Sequence, residues 1–279
     1  MKTLKKQTLI LLSISSLLLV GLAVFAHLHK KEEQANYSNL NSKASISEVR
    51  AILSKHLNEE SVDNFINLVT DYNDTVGSVG LSGDFAPFIK TDYDVEKISS
   101  LWTAKHGDFI GTNCRINTYT LLKGKIKIPQ VKSDSELLFQ DKDAIDKGKL
   151  FNAKDQANFD ILFSRVKTEA TQDVKVHAKH MEDYYKQFTF DDKARMLSVV
   201  VHDNLDGDYL FVGHVGVLVP TTDGYLFVEK LTFEEPYQAI KFASKKDCYK
   251  YLTTKYKDYT GPGLAKPFIM DNDKWVDMD

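Results

Sequence analysis

The chain has 279 residues, of which 43% are hydrophobic and 27% charged, and its formal net charge is -3. That apolar content supports a self-sufficient core, which excludes a disordered chain and a disulfide-stapled miniprotein. The near-neutral charge gives no electrostatic basis for nucleic-acid binding, so no such partner is expected.

Lys2, Lys5 and Lys6 precede an uncharged, mostly apolar run from about residue 7 to residue 28. A basic start followed by an apolar segment is the arrangement of an export signal. Val24-Phe25-Ala26 offers a cleavage site, whereas a run of about twenty residues closed by Lys30 and Lys31 suits an uncleaved span. Residues 1–28 therefore read equally as a signal peptide or a membrane anchor. Either way the rest of the chain is expected at the extracellular face, anchored or secreted. The segment has no cysteine to carry a lipid. Residues 29–44 are polar and read as a tether, and residues 45–279 as the domain.

Ser45 and Glu48 have the spacing of a capping box, and Val49, Ile52 and Leu53 follow at helical spacing. A second helix is expected from Glu60 to Tyr72, with Val62, Phe65, Ile66 and Val69 on one face. Residues 73–109 are irregular and read as a long loop whose aromatics Tyr93 and Trp102 are candidates for lining a substrate groove, against ordinary packing. The next stretch, Gly111-Thr112-Asn113-Cys114, reads as a loop that becomes a helix at Cys114. Gly111 permits an unusual backbone there, and Thr112 or Asn113 caps the first turn.

Residues from about 134 to 190 read as a helical insertion, with helices over Ala153–Lys167 and Asp173–Phe188. His177 and His180 lie three apart beside Glu182 and Asp183, but no zinc-site pattern accompanies them, and neither a metal nor another cofactor is expected. From Ala194 the period becomes strand-like, with strands expected at 196–202, 209–219, 225–231 and 236–243. The segment from His202 to Asp208 has histidine where a calcium loop has its first ligand and reads as a turn. Ser244 with Asp247 caps a closing helix to about Tyr256, and the tail from Gly261 reads as loop.

A cysteine at a helix N-terminus is biased towards thiolate by the unpaired N–H groups and the dipole. In 209–219 alternate side chains share a face, which groups His214 with Leu210, Val212, Gly216 and Leu218. With Val219 paired to Gly224 across the turn, His214 falls opposite Glu229, while a one-residue slip would bring Lys230 there instead. Cys114, His214 and Glu229 then supply a nucleophile, its base and a carboxylate that holds the imidazole tautomer. Arg115 and Asn117 are candidate substrate-binding residues, Arg115 for a substrate carboxylate, against a surface arginine. The competing readings are a Cys114–Cys248 disulfide, permitted in an exported chain, and a satisfied core histidine.

This cysteine, histidine, acid order resembles the papain-like superfamily in its circularly rearranged bacterial form, the NlpC-type cell-wall peptidases and related amidases. Their first sheet histidine reads like His214-Val215-Gly216-Val217 here. Gly-Thr-Asn-Cys-Arg-Ile-Asn at 111–117 and Phe-Val-Glu-Lys-Leu at 227–231 also resemble a family of uncharacterised surface lipoproteins of Gram-positive bacteria, over most of residues 37–258. The resemblance implies an α+β, papain-like domain of helices packed on an antiparallel sheet. It also implies a cysteine hydrolase acting on an amide bond in cell-wall peptide or another extracellular peptide. The chain departs from the NlpC pattern at Asn113, where those enzymes have Asp, and at Arg115-Ile116, where they have Ser-Gly. Two other readings stay open: a surface protein that binds peptide, glycan or host molecules on the same fold, and a transglutaminase-like cross-linker.

Overall fold

The structure, a computed structural model, describes residues 35–77 and 79–278. The expected export segment and the first part of the expected tether lie outside the described residues.

Four strands rich in β-branched and aromatic residues form the middle of the sheet: β4 (Arg195–Asp203), β5 (Tyr209–Pro220), β6 (Tyr225–Lys230) and β7 (Tyr237–Phe242). They pair antiparallel in sequence order. Shorter strands complete them: β1 (Asn36–Ser38), β2 (Ala86–Pro87), β3 (Val166–Lys167), β8 (Phe268–Asp271) and β9 (Lys274–Val276). The nine-stranded order is β2-β1-β7-β6-β5-β4-β8-β9, with β3 paired to β5.

Eight α-helices cover this sheet among the described residues. In chain order they are α1 (Lys43–Leu53), α2 (Glu59–Val76), α3 (Val95–His106), α4 (Cys114–Leu122), α5 (Phe139–Gly148), α6 (Ala153–Leu162), α7 (Val174–Tyr185) and α8 (Lys245–Tyr256). The larger apolar cluster joins α1 through α7 to one face, through residues such as Val212, Val215, Val217 and Val228. The smaller joins α8 to the other face through Leu197, Val199, Leu218 and Phe227. With both faces covered, β5 is buried from His214 to Val219 and β6 from Leu226 to Lys230, which puts apolar residues at consecutive positions such as Val217–Val219 and Leu226–Val228. None of the helices among the described residues is long and apolar enough to cross a membrane.

The mixed α+β architecture matches the expected class, with several corrections. From Asn36 the expected tether is already part of the domain, because Tyr37 and Ser38 are buried in a strand paired with β7. The cap of α1 is Ser42, whose side chain accepts from Ser45 N at 3.1 Å, three residues before the expected box. Helix α3 occupies the expected loop; its only buried residue is Ile98, too narrow a stripe to register as a period. Strands β8 and β9 occupy the expected C-terminal loop, and β8 pairs with β4 from Leu197↔Asp271 to Val200↔Phe268, a partner about seventy residues earlier in the chain. In the insertion the two expected helices end earlier, at Leu162 and Tyr185, and α5 adds a third.

Candidate active site

The approach to Cys114 is fixed from behind. Gly111 has φ of 92°, in the left-handed region, and a side chain there would meet the Trp102 ring at 3.3 Å. Asn113 is the cap: its Oδ1 accepts from Ile116 N at 3.0 Å. Helix α4 then runs buried from Ile116 to Leu122, with Cys114 at its first position and 6% exposed. Cys114 therefore stands at the positive end of the helix dipole.

His214 owes its direction to a bulge. Val199 pairs with His214 and Val200 with Val212, so Gly213 is an extra residue in β5. A side chain at Gly213 would stand 2.7 Å from Val201 Cγ2, which explains the glycine. The bulge reverses the alternation expected for this strand. Gly216 and Leu218 keep the face of His214, while Leu210 and Val212 belong to the cluster on the opposite face.

The β5–β6 register also differs from expectation. Val219 pairs with Leu226 and Val217 with Val228, where the ladder stops, a shift of two residues. A two-residue shift preserves the face. Glu229 thus lies diagonally from His214, and Glu229 Oε2 accepts from His214 Nε2 at 2.5 Å. Gly216 is forced by this closeness, since a Cβ there would be 2.4 Å from Phe227 Cζ and 2.7 Å from the Val228 carbonyl. Gly216→Ala is expected to lose about 2–3 kcal/mol in urea unfolding; a loss under about 0.5 kcal/mol would show that the β5–β6 contact is looser than these distances require.

Helix α8 closes the far side. Tyr256 stacks on the His214 ring at 4.8 Å, Tyr251 OH donates to Glu229 Oε1 at 2.5 Å, and Lys255 Nζ stands 3.6 Å from the same oxygen. Glu229 Oε2 is thereby left for the imidazole. Cys114 comes from the helical face and lies near enough to the His214 ring for each to shift the protonation of the other. With Nε2 taken by Glu229, Nδ1 is the nitrogen available to sulfur.

Burial alone raises the Cys114 thiol, but the charge and hydrogen bond of His214, with Arg115, outweigh it and hold the thiol below its ordinary value. Burial likewise lowers His214, and the adjoining Cys114 and Glu229 outweigh that in turn, raising it. Glu229 is pushed up by burial and down by Lys255, His214 and Tyr251, settling at about 2. The three shifts agree in sense: each favours the charged form, thiolate, imidazolium and carboxylate. This arrangement is chemically competent for nucleophilic attack by sulfur followed by proton return from the ring.

The other sequence candidates lie elsewhere. Arg115 does not present its fork to a groove; it binds Asp141 through two nitrogens, at 3.0 and 2.7 Å, and the Val212 carbonyl at 2.9 Å. Asn117 is buried and donates to Thr112 Oγ1 and the Asn113 carbonyl. Tyr93 bonds Asn39 beside β1. Trp102 donates to the Phe109 carbonyl at 2.6 Å and stacks on His106 at 4.0 Å, shoring up the Gly111 loop. Cys114 and Cys248 are both free, so the expected alternative of a bridge between them is set aside. His177 faces inward with its ring bonded to Thr168 and Thr171, rather than sharing a solvated face with His180. Sequence reasoning missed Asp141, Tyr251, Lys255 and Tyr256. It also left Lys230 unplaced: this buried ammonium caps the carbonyls of Thr232, Phe233 and Glu235 and lies 4.2 Å over the Tyr72 ring.

Fold and site together define an α+β domain in which a helix-terminal cysteine meets a buried histidine–carboxylate pair. A family model described as a domain of unknown function (DUF4300) matches residues 36–276, and the chain belongs to that family. No curated protein matches the chain, and no solved structure does.

Proposed function

We propose that the chain is a papain-like cysteine hydrolase that cleaves an amide bond in cell-wall peptide on the outer side of the membrane. The observation that supports this reading is the meeting of Cys114, at a helix N-terminus, with a buried His214 whose ring donates to Glu229 at 2.5 Å. The basic and apolar N-terminal segment supports the location, and the substrate class is inferred from the cysteine, histidine, acid order, which resembles that of NlpC-type enzymes. The Cys114 thiolate attacks the carbonyl carbon, and its backbone N–H donates to the oxyanion that forms. The imidazolium of His214 passes its proton to the departing amine as the C–N bond breaks. Water, deprotonated by the same ring, then hydrolyses the thioester and releases the acid. Glu229 keeps the ring oriented and stabilises its charged form in both halves of the cycle.

Iodoacetamide labelling across pH, resolved on the Cys114 peptide, tests the arrangement. Cys114 is expected to react at about pH 6, where a thiol of ordinary pKa near 8.5 is almost silent, and His214→Ala should remove that low-pH reactivity. Cell-wall peptide digestion, followed by mass spectrometry, should show amide cleavage that Cys114→Ala abolishes. Labelling no faster than an exposed thiol and indifferent to His214 would sink the hydrolase reading in favour of a binding role. Amine incorporation into a glutamine peptide in place of hydrolysis would point to cross-linking.

A further inference from the structure

Asp141 has no part in the chemistry above, yet it is wholly buried and its carboxylate gathers three donors. Asn113 Nδ2 donates to Oδ1 at 2.7 Å; Arg115 donates from Nε to Oδ1 at 3.0 Å and from Nη2 to Oδ2 at 2.7 Å. The remaining arm of the guanidinium, Nη1, donates to the Val212 carbonyl at 2.9 Å. Val212 immediately precedes the bulged Gly213, two residues before His214. One planar fork therefore touches the insertion helix α5, the first turn of the cysteine helix and the strand that carries the histidine. A bidentate fork has a single low-energy seat, unlike a flexible ammonium.

We propose that Arg115 and Asp141 are a positioning pair that fixes the Cys114 sulfur against the His214 ring, and that the helical insertion is, through Asp141, part of the site. The inference rests on the thiol–imidazole contact used in the proposed function. The titratable and charged groups around the sulfur are His214 from β5, Arg115 from its own helix, Asp141 from α5, Lys230 from β6 and Tyr256 from α8. Arg115 favours the thiolate and Asp141 opposes it, so the pair's charges act on sulfur in opposite senses. That opposition separates two roles. Were Asp141 to act by charge alone, Asp141→Asn would make the thiol more acidic. As the holder of the fork, its loss frees Arg115, loosens sulfur from the ring and makes the thiol less acidic.

The experiment is the pH profile of Cys114 labelling by iodoacetamide in the full chain, for wild type, Asp141→Asn, Arg115→Lys and the pair Arg115→Met with Asp141→Leu. The paired substitution leaves no lone buried charge and is expected to fold even if Asp141→Asn does not. Each variant is expected to label about tenfold more slowly at pH 6, with its midpoint moved up, as for a thiol whose pKa rises by about one unit. Arg115→Lys keeps the charge and loses the fork, so it should follow Asp141→Asn. A folded variant whose midpoint stays put or moves down overturns the positioning role. Hydrolysis is read separately. A His214-dependent thiol profile that shifts in the variants, in a chain that cleaves no peptide, keeps the pair and removes the hydrolase reading. Wild-type labelling and wild-type hydrolysis in the folded paired variant do the reverse.

Discussion

Glu229→Gln is expected to lower the proposed amide hydrolysis by about a thousandfold while leaving the fold in place. The amide can set its oxygen on His214 Nε2–H and its NH2 on the Tyr251 hydroxyl, so the geometry that now holds Oε2 at 2.5 Å from the ring and Oε1 at 2.5 Å from the phenol survives. What disappears is the negative charge that favours the imidazolium at rest and supports it during the proposed attack. The loss should therefore fall mainly on kcat, and the low-pH labelling of Cys114 should weaken with it. The same substitution has a stability signature. Glu229 is held at about 2 against an ordinary 4.5, so its contribution is fully present above pH 4.5 and is lost as the pH falls towards 2. A shift of that size corresponds to a contribution on the order of 3 kcal/mol. Urea unfolding at pH 7, 4 and 3 should show a steeper acid decline in wild type than in the variant. Hydrolysis by Glu229→Gln within tenfold of wild type would remove the carboxylate from the mechanism.

The parts of the site that sequence made legible are those with a local cause. Gly111, the cap before Cys114 and the Ser244 cap of α8 each leave a spacing that can be read within four residues. The meeting of His214 with Glu229 also survived a wrong register. The turn closes Thr221 N on the Gly224 carbonyl at 2.8 Å and displaces the ladder by two residues, an even number that cannot exchange faces. The bulge was not legible, because it exists only in the pairing with β4, where Val199 meets His214 and Val200 meets Val212. Nor was Asp141, one of 39 acidic residues, in a stretch whose polarity hides a helix with only Asp141, Ala144 and Ile145 buried. Tyr251 and Lys255 sit four apart on α8 and were within reach of reasoning: a buried glutamate needs donors for both oxygens, and this helix face offers them.

Phe159→Ala is expected to destabilise the whole domain by about 4 kcal/mol, in one transition. Phe159 is fully buried in α6 and meets Tyr119, Phe151 and Phe163 at ring-centroid distances of 6.0, 5.8 and 5.0 Å. Tyr119 lies on the cysteine helix, and its hydroxyl donates to the buried Asp155 of α6 at 3.2 Å, while Lys123 pairs with the same carboxylate at 2.8 Å. The insertion is thus packed into the cluster that carries Cys114 rather than attached to it as a separate lobe. A cavity left by the lost ring is lined by both parts, so α4 and the insertion should weaken together. Far-UV circular dichroism, which follows the helices, and the low-pH labelling of Cys114, which follows the site, should therefore lose signal at the same temperature in both wild type and variant. Labelling that persists after the insertion helices have melted would show the insertion to be an independent unit, and Asp141 could not then be what holds the sulfur in place.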